Sequence, residues 1–273
     1  MALFVGLVQY LRHHPFLRPR KFRGQHDSFI HFIMSHHSID ISNLAYTYPD
    51  GTPGLRGLSL HVGHGESIAI VGGNGAGKST LLHHLCGAIL PESGEVSIGE
   101  IPLVKTTVKQ IRQTVGMVFQ NPEDQLFMST VWDDVAFGPL NMQLPRKHVE
   151  ERTRTALEKV NAWHLKDKHP HHLSGGEQKN VSIATILSMN PDILILDEPT
   201  ANLDHEARRN VIRILRQFDH TKLIATHDLR LALELCERSV IMKDGYIIAD
   251  GSTQKLFQNE ELMNSARLEA LPG

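Results

Sequence analysis

The stretch ESIAIVGGNGAGKST, residues 66–80, decides the fold of this chain. Its first half is a short apolar run that ends in glycines, which is the pattern of a buried strand. Its second half fits G-x-x-x-x-G-K-[ST] from Gly72 to Ser79 and is followed by a helical pattern that begins at Lys78. The sequence therefore predicts a strand, a glycine-rich loop and a helix in direct succession.

A loop of this composition is typical of a phosphate-binding P-loop. Its glycines let the backbone wrap around phosphate groups, the Lys78 ammonium can reach the β- and γ-phosphates, and the Ser79 hydroxyl can bind Mg²⁺. The predicted ligand is a nucleoside triphosphate with Mg²⁺. The residues of the loop that are predicted to bind it are Gly72, Asn74, Gly75, Ala76, Gly77, Lys78, Ser79 and Thr80.

The run ILILDE, residues 193–198, supplies the second part of a nucleotide site. It is apolar until Asp197, which is predicted to emerge at the carboxyl end of a buried strand, where open α/β sheets bind ligands. Asp197 is expected to hold Mg²⁺ through water, and Glu198, which follows it, to orient or deprotonate the attacking water.

Strands and helices alternate along the rest of the chain. Composition and alternation predict strands at residues 39–48, 55–62 and 115–120, whereas the region from about 121 to 187 is mostly helical. Strands separated by helices favour an α/β core with a parallel sheet, into which the helical block is inserted as a lobe.

Composition excludes several classes of protein. The 273 residues carry a net charge of −2, which argues against broad nucleic-acid binding. Cys86 and Cys236 lie in apolar helical patterns and are interpreted as core residues in a reducing compartment. No apolar run approaches the roughly 18 residues that a membrane-spanning helix needs.

The N-terminal residues 1–33 do not fit a signal peptide, because basic residues follow the apolar run MALFVGLVQYL instead of preceding it. We expect a disordered extension or a start upstream of the native one, since Met34 opens the segment before the first strand. A membrane-surface segment is the alternative.

A second glycine-rich segment, HHLSGGEQKN at residues 171–180, precedes another helical pattern. It predicts a helix N-terminus with bare backbone N–H groups, which is an anion site. Together with the P-loop and ILILDEP, the run LSGGE at 173–177 makes residues 38–270 resemble the ATP-binding subunit of an ABC transporter. LSGGE is specific to that family, while the other two motifs occur in many NTPases.

The resemblance implies a RecA-like P-loop NTPase core with a mainly parallel sheet, an antiparallel β subdomain and an inserted helical subdomain at about 121–187. By the same resemblance these parts are expected to form one ATPase domain, residues 34–273, which hydrolyses ATP to ADP and phosphate. Two such subunits pack head to tail in this family. Ser174, Gly175 and Gly176 are therefore expected to contact the γ-phosphate of ATP on a second subunit, in a homodimer or a heterodimer.

Further positions match the family one at a time. Gln120 resembles the glutamine that senses Mg²⁺ and the attacking water and begins the segment that touches the membrane partner. His227 in IATHD resembles the histidine that holds the γ-phosphate. ANLD, residues 201–204, resembles the loop through which the two subunits communicate, with Asp204 in the key place. Tyr48 resembles the aromatic residue that stacks on adenine, with Tyr46 as a weaker candidate.

The chain departs from the family pattern at Asn180, where members usually carry Arg or Lys. This residue lies about one turn into the helix that follows LSGGE. The substitution puts the ionic anchoring of that helix in doubt.

The segment QNPEDQLFMSTVWDDVAFGPLN, residues 120–141, resembles the energy-coupling-factor group and, within it, the cobalt/nickel import ATPases. That resemblance implies an integral membrane coupling protein and a metal-capturing membrane component as partners, no nucleic acid, and a peripheral position on the cytoplasmic face of the membrane. A vitamin importer of the same group differs only in its membrane partner and stays open. A soluble ABC protein that acts on ribosomes or DNA is disfavoured by the single cassette.

The 18 histidines invite a metal-site interpretation. Adjacent histidines on a helix point in different directions and lack the i, i+4 spacing of a helical metal pair. We therefore interpret them as solvated or packing residues. The adjacent pairs stand at 13–14, 36–37, 83–84 and 171–172, and His169 lies close to the last.

Overall fold

A computed structural model describes residues 38–268, and the expected extension at residues 1–33 lies outside them. Within the described range the strands are β1 (Ile39–Thr47), β2 (Pro53–Val62), β3 (Ser67–Val71), β4 (Ser93–Ile98), β5 (Ile101–Pro102), β6 (Val115–Val118), β7 (Ile193–Asp197), β8 (Thr221–Thr226), β9 (Arg238–Lys243) and β10 (Tyr246–Ser252). The α-helices are α1 (Lys78–Leu85), α2 (Val108–Thr114), α3 (Val131–Asn141), α4 (Arg146–Lys159), α5 (Gly175–Leu187), α6 (His205–Arg216), α7 (Leu229–Leu235), α8 (Thr253–Phe257) and α9 (Glu260–Ser265).

The larger sheet has the strand order β10-β9-β3-β8-β7-β6. Its strands run parallel except for β10, the outermost strand, which pairs antiparallel with β9. In register, Val71 at the end of β3 is opposite Thr226, and Asp197 at the end of β7 is opposite Ala225. The carboxyl ends of β3, β7 and β8 therefore meet at one edge of the sheet, as the sequence predicts.

Both faces of this sheet are covered, which explains why its central strands read as unbroken apolar runs. Successive side chains of a strand point to opposite faces. Ile193 and Ile195 of β7 belong to an apolar core that this sheet shares with the smaller, antiparallel sheet. Leu194 and Leu196 belong to the core under the helices.

The smaller sheet is antiparallel, with the order β2-β1-β4-β5. Its buried residues Ile39, Leu44 and Leu55 pack with Ile70 of β3 and Leu81 of α1 in one apolar cluster. This sheet is the predicted antiparallel β subdomain, and it covers the P-loop helix from one side.

The helical lobe lies between β6 and β7, and α5 packs on α3, α4, α6 and β6. A close approach at Gly116 in β6 sets the distance between sheet and helix. A Cβ atom at Gly116 would lie 2.2 Å from Cγ2 of Ile186 on α5 and 3.1 Å from Cγ of Pro191. The residue at position 116 therefore has to be glycine if α5 is to keep its place.

Replacing Gly116 with alanine should lower the free energy of unfolding by about 1–3 kcal/mol, because the added methyl group displaces α5. Chemical denaturation measures the change. Gly251→Ala is the matched control, since a Cβ atom there meets nothing within 4 Å and should change stability by less than about 0.5 kcal/mol. Equal losses in the two variants would contradict this account of the packing.

The structure also differs from the sequence-based expectation in detail. The strand predicted over residues 115–120 ends at Val118, because the next backbone groups bond to side chains rather than to a neighbouring strand: Phe119 N–H donates to Gln125 Oε1 and Phe119 O accepts from Lys179. Helices α2, α8 and α9, which are each seven residues or shorter, were not anticipated.

Within residues 38–268, every helix is too short or too polar to cross a bilayer.

Candidate ATP-binding and hydrolysis site

The P-loop is held by close backbone approaches that only glycine permits. A Cβ atom at Gly72 would lie 2.4 Å from Met242 O. Gly77 has a φ of 100°, and a Cβ atom there would lie 2.7 Å from Gly54 O. The loop is supported from below by the β9–β10 turn, where Gly245 N–H donates to Ala76 O at 3.1 Å. The backbone conformation predicted from the motif is thus imposed by packing on both sides.

Lys78 lies over the loop that precedes it. Its Nζ donates to Gly72 O at 2.7 Å and to Gly73 O at 3.3 Å, and the side chain is buried. Burial lowers the pKa of Lys78, while the negative charges of Glu198 and Asp197 oppose that change. The lysine and both carboxylates of the ILILDE segment therefore act on one another at the same sheet edge.

Glu198 follows β7 and has a left-handed φ of 44°, a strained conformation of the kind that concentrates at functional sites. Its buried carboxylate accepts hydrogen bonds from Thr226 Oγ1 at 3.0 Å and from the His227 N–H at 3.0 Å. It also pairs with His227 Nδ1 at 2.8 Å, although the His227 side chain itself is exposed. These contacts fix one carboxylate oxygen next to an accessible imidazole.

Tyr48 lies beside the first turn of α1. Its hydroxyl is hydrogen-bonded to Thr80 Oγ1 at 2.7 Å, and its ring meets the ring of Tyr46 edge to face at 5.1 Å. Tyr46 in turn packs edge to face on the buried His84 at 5.1 Å. Of the two candidates, Tyr48 is therefore the one that is bonded directly to a P-loop residue.

The LSGGE run, residues 173–177, which we call the signature segment, forms the N-terminus of α5, the signature helix, with Ser174 as its N-cap. Ser174 Oγ accepts from the Glu177 N–H at 3.3 Å, and the Glu177 carboxylate accepts from the Ser174 N–H at 2.8 Å, which is a capping box. The prediction of a wholly bare helix end is therefore wrong at Glu177, whose own N–H is capped. The pKa of the Glu177 carboxyl is lowered, first by its hydrogen bond from Ser174.

The start of α5 packs on the start of α6. A Cβ atom at Gly176 would lie 2.7 Å from Cβ of Ala207, and Asp204 caps α6 by accepting from the Ala207 N–H at 2.8 Å. The predicted residues thus fall into two groups. One group, at the sheet edge, contains Lys78, Asp197, Glu198 and His227, and the other contains Ser174 to Gly176 with Asp204.

Comparison with known proteins identifies the family. A family model described as ABC transporter matches residues 55–201. The chain belongs to the ABC transporter family. It is an ABC transporter ATPase that hydrolyses ATP, and its fold is the ABC ATPase fold that the sequence predicts, with a mainly parallel sheet, an antiparallel β subdomain and a helical subdomain.

Several relatives resemble this ABC ATPase over most of their length. A putative ABC transporter ATP-binding protein of Geobacter sulfurreducens is 56% identical over 236 residues, which cover 86% of this chain and 95% of that protein. The energy-coupling factor transporter ATP-binding protein EcfA of Methanothermobacter thermautotrophicus is 48% identical over 235 residues, or 84% and 76% of the two chains.

Solved structures are similar as well. The structure of cbiO1 from Clostridium perfringens, described as part of the ABC transporter complex cbiONQ, has a TM-score of 0.73 at 38% identity and covers 83% of this chain and 93% of that one. The dimeric structure of MJ0796, a bacterial ABC transporter cassette, has a TM-score of 0.72 at 28% identity, and the match covers 79% of this chain and 98% of that one.

Sequence reasoning missed the buried lysines Lys179 and Lys222 of this ABC ATPase. Lys179 on α5 is 1% exposed, and its Nζ donates to Phe119 O at 3.0 Å and to Gln120 O at 2.7 Å. Burial lowers the pKa of Lys179 to about 8, against the attraction of Asp197. A charged side chain thus anchors this helix one residue before Asn180. The neighbours of Lys179, Gln178 and Asn180, are polar, and the local pattern gave no signal of its burial.

Asn180 itself is partly buried, and its Oδ1 has no hydrogen-bond partner among the residues that the structure describes. Gln120, whose carbonyl Lys179 holds, is exposed, as are Ser79 and Ser174. The Ser79, Gln120 and Ser174 side chains therefore face outward, whereas those of Lys78, Asp197 and Glu198 are buried at the carboxyl ends of the strands.

Most of the described histidines are exposed to solvent, and His84 is buried. Cys86 and Cys236 are free, and burial raises the pKa of the Cys236 thiol to about 12. The ring of His169 stacks on that of His171 at 5.1 Å. Among residues 38–268 no group of three or more His, Cys, Asp or Glu is arranged to hold a metal ion, and the pairs at 13–14 and 36–37 lie outside this range.

Proposed function

We propose that this ABC ATPase energises a membrane importer of cobalt or nickel ions through the ATP-driven closure of two copies. The observation that carries the closure of two copies is the division of the site into two groups, and the similarity to cbiO1 and EcfA supports the importer. The sheet-edge group binds one face of ATP, and the exposed N-terminus of α5 remains available for the γ-phosphate bound to a second copy. The dimeric form of a similar cassette supports this arrangement.

Within each site the P-loop backbone and Lys78 bind the β- and γ-phosphates, and Tyr48 stacks on adenine. The exposed Ser79 hydroxyl, the Asp197 carboxylate and the Gln120 amide are hard oxygen donors, which suit Mg²⁺. When bound, Mg²⁺ neutralises charge on the phosphate oxygens. The donor set is thus compatible with the metal.

Glu198 orients the attacking water and accepts its proton. Its three hydrogen-bonded contacts hold the carboxylate in one position, so little reorganisation is needed when the water arrives. The exposed His227 imidazole, which is paired with the Glu198 carboxylate, would hold the γ-phosphate. Ser174, Gly175 and Gly176 of the second copy complete the site, and Asp204 at the start of α6 carries the communication between the copies.

An exposed aromatic surface supports the assignment of a membrane partner. Phe127, Phe137 and Leu140 are 64%, 39% and 56% exposed, and the two phenylalanine rings meet edge to face at 5.0 Å. The buried Asp134 carboxylate holds the loop below them by accepting from the N–H groups of Phe127 and Met128. Exposed apolar patches of this kind mark protein–protein contacts.

Truncating Phe127 to alanine should weaken assembly with the integral membrane coupling protein by on the order of tenfold or more, as expected for an aromatic anchor. Co-purification from membranes measures the loss. Leu233→Ala is the matched control, because Leu233 is 43% exposed on α7, away from this surface. Loss of assembly in both variants, or in neither, would contradict this docking surface.

The substrate is tested in proteoliposomes that contain this chain, a coupling protein and a metal-capturing component. ATP-dependent uptake of cobalt or nickel ions supports the proposal, and the descriptions of cbiO1 and EcfA make this the first experiment. Uptake that occurs only with a vitamin-binding component supports the alternative of a vitamin importer. Failure to join any membrane component contradicts transport.

The proposal extends to domain organisation and location. Residues 34–273 act as one ATPase domain, in which about 121–187 form the helical subdomain, and the protein works as a peripheral subunit on the cytoplasmic face of the membrane.

A further inference from the structure

A buried lysine ties the signature helix to the loop that carries Gln120. Lys179 lies between one and two turns into α5, and its Nζ donates to the carbonyls of Phe119 and Gln120 at 3.0 and 2.7 Å. The side chain is 1% exposed, so its charge is stabilised by these partners and by Asp197 rather than by water. Packing alone does not require a cation at this place.

A second side chain makes the reciprocal connection. Gln125 belongs to the loop, and its Nε2 donates to Ser182 O and Thr185 Oγ1 of α5, both at 2.7 Å. Its Oε1 accepts from the Phe119 N–H at 3.1 Å. Lys179 and Gln125, which we call the clamp, thus satisfy backbone groups of the loop from one side and of the helix from the other.

The clamp joins two segments that serve different nucleotides in the proposed dimer. Ser174, at the N-terminus of α5, faces the ATP of the second copy, whereas Gln120 faces the Mg²⁺ and water of its own site. Lys179 is five residues from Ser174 along a continuous helix, which is roughly 7–8 Å. A displacement of the helix end therefore moves the backbone of Gln120 with it.

We propose that the clamp couples the two ATP sites: contact of Ser174 with the partner's nucleotide sets the position of Gln120 in its own site. Lys179 and Gln125 act as positioning residues and touch neither nucleotide. The inference rests on the proposed composite site. It adds that closure at one site prepares hydrolysis at the other, so the rate should depend cooperatively on ATP concentration.

The test replaces Lys179 with methionine, which keeps the length of the side chain and removes both hydrogen bonds. We expect kcat to fall by on the order of 10- to 100-fold because the reacting groups are misplaced. The sigmoidal dependence on ATP concentration should become hyperbolic, while the ATP dissociation constant of the monomer stays unchanged. Lys179→Arg, which can reach the same carbonyls, should restore both the rate and the sigmoidal curve.

Lys222→Met is the matched control. Lys222 on β8 is also a buried lysine, 8% exposed, whose Nζ donates to two backbone carbonyls, those of Leu215 and Phe218, and whose pKa is lowered by burial. It connects β8 with the end of α6, away from the clamp. Its loss should lower the melting temperature as Lys179→Met does, but it should leave the sigmoidal curve intact.

Two results would overturn the coupling and are distinguishable. If Lys179→Met keeps the sigmoidal curve and loses no more activity than Lys222→Met, the clamp is structural only. If the wild-type chain itself hydrolyses ATP hyperbolically as a monomer, the composite site is wrong and the coupling falls with it. Should Lys179→Met fail to fold, Gln125→Glu, which is of equal size and removes the donations to α5, is expected to give the same kinetic result.

Discussion

Glu198→Gln is expected to lower the steady-state rate of ATP hydrolysis by about 10²–10⁴-fold, because an amide cannot accept the proton of the attacking water. The substitution preserves shape. The amide oxygen can still accept from the His227 N–H, and the Thr226 hydroxyl can rotate to accept from the new NH₂ group. ATP binding should therefore survive, and the ATP-bound dimer should accumulate in size-exclusion chromatography.

Two other substitutions separate the chemistry from binding and from general damage. Lys78→Ala should weaken nucleotide binding itself, because it removes the ammonium over the P-loop. Glu66→Gln removes a carboxylate that is also ion-paired, here with Arg238 at 3.0 Å, but at the opposite edge of the sheet, and should leave kcat unchanged. Hydrolysis by Glu198→Gln at close to the wild-type rate would show that the proposed role of Glu198 is wrong.

The second large effect concerns the helix end that faces a partner. Ser174→Arg removes the N-cap hydroxyl and places a long side chain where the γ-phosphate of a second copy would bind. In a Glu198→Gln background it should abolish the ATP-dependent dimer without abolishing nucleotide binding to the monomer. Ser174→Thr, which keeps the capping hydroxyl, should retain the dimer. His172→Arg, which adds the same charge at an exposed neighbour, should retain it as well.

Mixing variants tests whether the site is shared. Ser174→Arg and Lys78→Ala homodimers each contain two identical damaged sites. In a mixed dimer one site combines both defects, while the other has an intact P-loop and an intact signature helix, so hydrolysis should return to a measurable rate. An unchanged specific activity on dilution to monomers would contradict a composite site.

The local part of the ATP site could be read from the chain because its residues are contiguous. Gly72 to Ser79 form one loop between a strand and a helix, and that loop needs backbone conformations and close approaches that glycine allows. Asp197 follows an unbroken apolar run, which is typical of a strand buried on both faces, so the pattern predicts its position at the carboxyl end of a strand.

The relations between distant segments could not be predicted in this way. The pairing of Glu198 with His227 depends on the adjacency of β7 and β8, which sheet order decides and composition does not. The capping box at Ser174 was readable from serine followed three residues later by glutamate, yet the helix end was predicted to be bare.

Periodicity and motif spacing thus determined the α/β class and the phosphate-binding loop, because these depend on the nearest few residues. Lys179 shows what remained for the tertiary structure. In sequence it is a lysine in a helix, and only the folding of the loop after β6 against α5 brings two carbonyls within 3.0 Å of its Nζ. A buried charge is stable only where such partners converge, and that convergence is a property of three-dimensional packing.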